Sequence, residues 1–259
     1  MSIREKLIVV TLVIGVTSLN GCAKDERFLP PADNEYVTVT VKVPSDFEAD
    51  TMQVMYRSPL CTQNRGDSAG RSYEVDGFHS IEIQPSRLGE TDLYQAKLAV
   101  NGGGQCQWRL SNVTFGVAFL KPAIFGATTF SGGGGVVVIF DNNDSSRGGA
   151  DYHVDGDLEV VKDYYPWIDE NFLGGYWKDL RMFGGAHAYL MYSALAAKKI
   201  YFEPIFHSQY ELRSVGPKVQ MKGHYTTYTY PDGSVSSDGK WPPSLKRLEA
   251  IRLATESKK

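Results

Sequence analysis

The sequence has few of the residue patterns that mark hydrolases, zinc enzymes and nucleic-acid-binding proteins. Its 259 residues contain no His-Glu-x-x-His motif, and the five histidines are scattered singly. One Gly-x-Ser-x-Gly match, Gly66–Gly70, lies in a polar loop predicted over 62–71, whereas a hydrolase nucleophile needs a strand-to-helix turn. Lys and Arg form no run before the last few residues, and the formal net charge is −3. No electrostatic feature therefore indicates a nucleic-acid partner. No catalytic residue, metal ligand or cofactor is predicted, although 30 acidic residues always offer carboxylate pairs.

Long hydrophobic runs are also absent, apart from one near the N-terminus. The uncharged run Leu7–Leu19 follows Arg4 and Lys6, and as a helix it would span about 20 Å, short of the ~30 Å hydrocarbon core of a bilayer. This pattern predicts a signal peptide over residues 1–21 rather than a membrane-spanning helix.

The residues that end this run resemble the bacterial lipobox. Leu19-Asn20-Gly21-Cys22 places an aliphatic residue three positions before a cysteine and a small residue directly before it. The resemblance implies that Cys22 carries diacylglycerol, although Asn20 departs from the usual small or hydroxylated residue. An ordinary secretory leader with a chance cysteine is the alternative. The residue after the cysteine is Ala23 and not Asp, which by analogy with lipoprotein sorting in Gram-negative bacteria favours the outer membrane, with the protein facing the periplasm. Residues 22–34 are predicted to form a polar tether.

Only three cysteines are present, and Cys22 is assigned to lipid. The remaining pair, Cys61 and Cys106, is predicted to form a disulfide because exported proteins meet an oxidising compartment. Two buried free thiols are the alternative, and a metal pair is disfavoured because no His or third Cys lies nearby at ligand spacing.

Period-2 alternation dominates the chain after Glu35, as in Tyr36–Val43 and Phe78–Gln84. The pattern predicts a mainly β protein, with an antiparallel β-sandwich-like module over 35–140 and a smaller α+β module over 158–259. Residues 186–199 are the best helix candidate before the tail, or equally a buried strand pair. A C-terminal helix is predicted over 244–255 after two prolines.

An acidic, glycine-rich loop over 141–157 separates the two predicted modules. Its carboxylates could ligate Ca²⁺, but their spacing does not fit an EF-hand loop, so solvated acids are the favoured interpretation. We also consider this loop a candidate partner-binding segment, through the acidic residues Asp141, Asp144, Asp151, Asp155 and Asp157.

Two stretches carry a resemblance to a known family: Tyr73–His79 (YEVDGFH) and Gly102–Gly116 (GGGQCQWRLSNVTFG). With the lipobox and the cysteine pair, they resemble periplasmic lipoproteins that act as immunity proteins for lipase (phospholipase) effectors of type VI secretion. The resemblance covers about residues 15–120. It implies a non-enzymatic function, in which the lipoprotein binds a cognate effector and occludes its active site.

Two other classes stay open. A structural or assembly lipoprotein of the envelope would need no effector, and an exported enzyme or small-molecule binder would need a substrate. A lipase gene beside this one would favour immunity, and an assay on esters and glycans would test the enzyme.

Overall fold

The computed structural model describes residues 26–126, 129–130, 132, 134–142 and 149–258. Its strands, in chain order, are β1 (Tyr36–Lys42), β2 (Phe47–Ala49), β3 (Met52–Gly66), β4 (Ser72–Ile83), β5 (Ser86–Arg87), β6 (Leu93–Ala99), β7 (Asn101–Gly103), β8 (Trp108–Phe119), β9 (Thr129–Phe130), β10 (Gly135–Ile139), β11 (Tyr152–His153), β12 (Leu158–Asn171), β13 (Trp177–Phe183), β14 (Tyr189–Ser193), β15 (Lys199–Phe206), β16 (Leu212–Val215), β17 (Thr227–Thr229) and β18 (Val235–Ser236). A 3-10 turn occupies Pro122–Phe125, and α1 (Leu245–Glu256) is the single α-helix among these residues. The prediction of a mainly β protein with a C-terminal helix is confirmed.

The strands form two mixed sheets. The first has the order β18-β17-β16-β12-β15-β1-β6-β5, with β13 and β9 attached to it beside β12. The second has the order β11-β14-β10-β8-β3-β4, with β2 and β7 on β8. Within the described part of residues 35–140, every strand pairing is antiparallel, as predicted. The parallel pairings all involve a strand that follows the acidic loop.

Both sheets therefore cross the predicted boundary at 141–157. In the first sheet, β15 lies between β1 and β12 and is parallel to both. In the second sheet, β14 lies beside β10 and pairs with it in parallel. One hydrophobic core contains side chains from both sides of the loop, from Val37 to Phe202, so the acidic loop does not separate two independent cores.

Alternation explains which side chains enter this core. In β1, Val37, Val39 and Val41 are buried while the threonines between them are half-buried, because successive side chains of a strand point to opposite faces. The same rule places His79 and Ile81 of β4 on its half-buried face and Phe78 on its exposed face.

A second, smaller core lies under α1. The strand β12 continues beyond β15, and there Tyr165 and Trp167 face Leu248 of the helix within one cluster. The helix begins after Ser244, whose hydroxyl accepts a hydrogen bond from the backbone N–H of Arg247 at 3.3 Å, which satisfies one of the unpaired donors at a helix start. Arg252 fixes the helix further, since its Nε donates to Tyr165 Oη at 2.9 Å.

Three local predictions need correction or completion. The helix candidate over 186–199 contains the single half-buried strand β14, so neither a helix nor a buried strand pair is observed there. The alternation of Met52–Arg57 predicts a strand that ends before Ser58-Pro59, but β3 continues to Gly66 across a register shift. The proposed tether lies partly outside the described residues, but its segment 26–34 packs against the sandwich.

Candidate functional site

A two-stranded arm projects from the second sheet. It is the distal part of the β3–β4 hairpin, residues 62–75, and its side chains are mostly exposed on both faces. Residues 63–66 pair in register with residues 72–75. At the tip, the Asp67 carboxylate accepts hydrogen bonds from the backbone N–H groups of Ala69 and Arg71 and from Arg71 Nε. These bonds lower the pKa of Asp67 and close the turn.

The disulfide predicted from the cysteine count lies at the base of this arm. Cys61 and Cys106 are bonded, with their Cα atoms 5.4 Å apart and both residues buried. Ser58 Oγ donates to the carbonyl oxygen of Cys106 beside it. Across the hairpin, a Cβ placed on Gly77 would lie 1.6 Å from the carbonyl oxygen of Cys61, so only glycine fits. The disulfide thus fixes the base of the arm covalently to the turn before β8, and the close contact at Gly77 joins the two strands of the hairpin there.

An open groove begins at this base. Its volume is about 480 Å³, and it is lined by the side chains or backbone of Arg57, Pro59, Leu60, Asp76, Val100, Cys106, Gln107, Arg109, Leu110, Phe140 and Asp141. Arg57 and Arg109 are register partners on β3 and β8. Arg57 Nε also donates to Ser111 Oγ at 3.1 Å, which holds one guanidinium in place at the wall.

A second cavity of about 180 Å³ shares three lining residues with the first, Val100, Leu110 and Phe140. It extends to Tyr36 and Leu195, which are 45% and 51% exposed. We call the two cavities together the loop-end groove, because they lie where the strands β1 and β15 begin and β10 and β14 end. Its floor is apolar, and its walls carry both arginines and aspartates.

The predicted acidic residues do not converge on this groove. Asp141 lines it, and Asp144 lies outside the described residues. The carboxylate of Asp151 accepts from the backbone N–H of Met191 at 3.1 Å, beside β14. Asp155 is exposed.

Asp157 has a structural task. Its Oδ1 accepts from the backbone N–H groups of Lys198 and Lys199 at 2.9 and 2.8 Å, where β15 begins. These two hydrogen bonds, with a smaller contribution from the lysine charges, lower the pKa of the Asp157 carboxyl. Its carboxylate satisfies two backbone donors at the start of a central strand.

The histidines form no common cluster, and within the described ranges no three His, Cys, Asp or Glu side chains are grouped to hold a metal ion. One histidine does have a carboxylate partner: His207 Nε2 lies 2.6 Å from Asp163 Oδ1. The same carboxylate has Arg252 Nη2 at 3.5 Å, and the His207 ring stacks on Tyr165 at 5.1 Å. The Arg252 contact fastens α1 to β12, and the His207 contact fastens the turn after β15 to β12. Both lie far from the loop-end groove along the strands.

Sequence reasoning missed most of the groove. Its arginines and exposed leucines come from the middle of β3, the start of β8 and the turn after β14, which are distant in sequence. The only local signal is the break at Ser58-Pro59, where β3 shifts register. Comparison of the chain with known protein families, with curated proteins and with solved structures finds no match. No helix in the described ranges is long and apolar enough to cross a membrane.

Proposed function

We propose that this protein is an exported lipoprotein that binds another protein through the loop-end groove and has no enzymatic activity of its own. The observation that supports this most directly is the composition of the groove, in which an apolar floor of Val100, Leu110 and Phe140 is flanked by charged walls. Protein interfaces commonly combine a buried apolar centre with a polar rim.

The exposed apolar side chains around the groove strengthen this interpretation. Leu60, Tyr36 and Leu195 are each about half exposed although all are large. Neighbouring exposed apolar side chains rimmed by polar ones mark interaction sites, whereas scattered ones need no explanation. A partner that covers them would gain hydrophobic free energy at the centre of the contact.

The finer proposal is that the partner is a lipase effector of type VI secretion and that binding occludes its active site. It depends on the resemblance of residues 73–79 and 102–116 to immunity lipoproteins. A lipid anchor at Cys22 would place the inhibitor where a phospholipase works and raise its local concentration. The groove walls and the loops beside them, including Asp141, would then contact the enzyme around its apolar substrate channel.

The test uses a lipase encoded beside this gene and a matched pair of variants. Leu195→Arg places a charge in the groove, and Leu253→Arg makes the same change on α1, where the leucine is 56% exposed. Burying an arginine at the centre of the interface is expected to weaken binding by at least about tenfold, that is about 1.4 kcal/mol. Inhibition of the lipase by purified protein should fall in the same proportion, and Leu253→Arg should bind and inhibit like the unchanged chain.

Three outcomes would count against the proposal. Equal affinity of both variants would remove the groove from the interface. Absence of lipase inhibition, together with capture of an envelope component, would favour a structural lipoprotein instead. Turnover of an ester or glycan by the isolated protein would contradict a purely binding function.

A further inference from the structure

The segment that follows the proposed anchor is bound to the sandwich and does not extend from it as a free tether. Trp108 Nε1 donates to the carbonyl oxygen of Glu26 at 3.1 Å, and the backbone N–H of Leu29 donates to the carbonyl oxygen of Gly102 at 2.9 Å. Between them, the Phe28 ring packs edge-on against Tyr56, with the ring centroids 4.7 Å apart.

Three consecutive glycines form the slot for this segment. A Cβ on Gly102 would lie 2.6 Å from the Phe28 ring, one on Gly103 2.0 Å from the carbonyl oxygen of Leu29, and one on Gly104 2.3 Å from the carbonyl oxygen of Arg27. Gly103 and Gly104 also have positive φ, a conformation that other residues adopt at a cost. The slot therefore depends on the absence of side chains at three adjacent positions.

A second attachment follows a few residues later. Asn34 and Asn101 exchange two hydrogen bonds, in which Asn34 Nδ2 donates to the carbonyl oxygen of Asn101 and the backbone N–H of Asn101 donates to Asn34 Oδ1. The chain from Glu26 to Asn34 is thus held at both ends along the β7 edge of the sandwich.

This edge belongs to the same end of the molecule as the loop-end groove. The turn between β7 and β8 supplies Cys106 and Gln107 to the groove wall. From Trp108, β8 runs 12 residues away from this end, about 40 Å at ~3.3 Å per residue. The helix α1 packs on the part of β12 beyond β15, so it lies toward the opposite end.

We infer that the docked segment fixes the orientation of the protein on the membrane, with the loop-end groove beside the phospholipid headgroups and α1 directed away from them. This inference depends on the proposed lipid at Cys22. Cys22 precedes Glu26 by four residues, which span at most about 14 Å when fully extended. Leu29, which is 52% exposed, and the exposed Pro30 lie on the edge that faces the lipid surface. The occupant of this face is the bilayer surface itself.

The orientation has a consequence for the partner. A groove held beside the headgroups is reached by a protein that is already at the membrane surface. A target that stays in the aqueous phase would meet mainly the α1 end.

The experiment places a nitroxide label at either end of the full lipidated chain, by Ala32→Cys or by Ala254→Cys. Both alanines are exposed; Ala32 lies between the two attachments and Ala254 lies on α1. The protein, without a histidine tag, is reconstituted into phospholipid vesicles that contain a nickel-chelating lipid, whose headgroup metal enhances the relaxation of nearby nitroxides. We expect strong enhancement for the label at 32 and almost none for the label at 254.

A linker variant tests whether the short connection causes the difference. Insertion of roughly 20 Gly/Ser residues between Asp25 and Glu26 adds an average reach of about 25 Å and should remove most of the difference between the labels. Equal or reversed enhancement, in protein whose mass confirms an acylated Cys22, would overturn the inferred orientation. An unmodified Cys22 would instead overturn the proposed anchor.

The docking itself has a separate matched control. Gly103→Ala and Gly89→Ala both place a Cβ on a glycine with positive φ, but the space around Gly89 is open. Gly103→Ala is expected to release the segment and accelerate hydrogen exchange of the Leu29 amide by tenfold or more, about 1.4 kcal/mol of lost protection, while Gly89→Ala leaves it unchanged. Unchanged exchange in Gly103→Ala, with the fold intact, would show that the slot does not hold the segment.

Discussion

Removal of the disulfide should destabilise the protein by an amount that the loop length predicts. Cys61 and Cys106 are separated by 45 residues, and closing a loop of that size restricts the unfolded chain by about 4 kcal/mol in the chain-entropy model. The double change Cys61→Ala and Cys106→Ala also removes two buried sulfur atoms, whose lost packing adds to this value. Since the whole free energy of unfolding of a domain is about 5–15 kcal/mol, the variant should be markedly less stable.

The measurement is urea unfolding followed by the fluorescence of the four tryptophans, of which Trp108, two positions after Cys106, and Trp167 are buried. The urea midpoint should fall, and reductant should lower the midpoint of the unchanged chain but leave that of the double variant where it is. This second comparison separates the effect of breaking the disulfide bond from the effect of replacing the two cysteine side chains.

The local consequence concerns the groove. Cys106 lines it, and the bond joins the base of the arm to the turn before β8. We expect partner affinity to fall even under conditions where the reduced protein remains folded. A loss of stability below about 1 kcal/mol would refute the loop-entropy reasoning, and full affinity in the reduced, folded protein would refute the role of the bond in shaping the groove.

Two further predictions concern single atoms at the base of the arm and at the start of β15. Gly77→Ala should lower the free energy of unfolding by about 1–3 kcal/mol, because its Cβ would overlap the carbonyl oxygen of Cys61. Gly66→Ala, at a position with open space, should change the free energy of unfolding by no more than about 0.5 kcal/mol. Equal thermal midpoints of the two variants would contradict the packing at Gly77. The lowered pKa of Asp157 implies stabilisation that is present above its ordinary value of 3.8 and lost as the pH falls through the lower, folded-state pKa. Asp157→Asn should therefore reduce the pH dependence of the free energy of unfolding in this acidic range. Asp155→Asn, at an exposed position, should leave that pH dependence unchanged.

Local patterns predicted the features that depend on near neighbours in sequence. The alternation of Tyr36–Val43 identifies β1 because one face of that strand is buried and the other is not. Two prolines and a serine before an apolar repeat identify the start of α1, although Leu253 of that repeat is exposed. The cysteine pair followed from an even count in an oxidising compartment, which restricts the choice to one bond.

Long-range pairing could not be predicted in this way. The insertion of β15 between β1 and β12 in parallel requires contacts between segments 161 residues apart for β1 and 42 residues apart for β12, and nothing in these strands specifies its neighbour. The polar stretch over 62–71 predicts a loop, because polar side chains stand on both faces of the arm and no alternation marks its pairing. Backbone hydrogen bonds hold it, and they leave little trace in residue type.

The candidate site was predictable only where one residue could be recognised by its own chemistry. Asp141 was included as one of several acids, and it is the one that lines the groove. Asp157 was included for the same reason, but it binds two backbone N–H groups. Charge alone cannot separate these two tasks, because both place a carboxylate in a polar, glycine-rich stretch.

The docked N-terminal segment shows how two misleading local signals can be consistent with each other. A polar stretch with two prolines favours a free linker, and three glycines in a row favour a flexible turn. In the structure the two stretches pack against each other. The glycines leave room for the backbone of Arg27–Leu29, and the Phe28 ring fills the space beside them. The pair changes the expected mechanics of the protein: a lipid on Cys22 would act through a short, oriented connection, and the position of the groove relative to the membrane would follow from the fold.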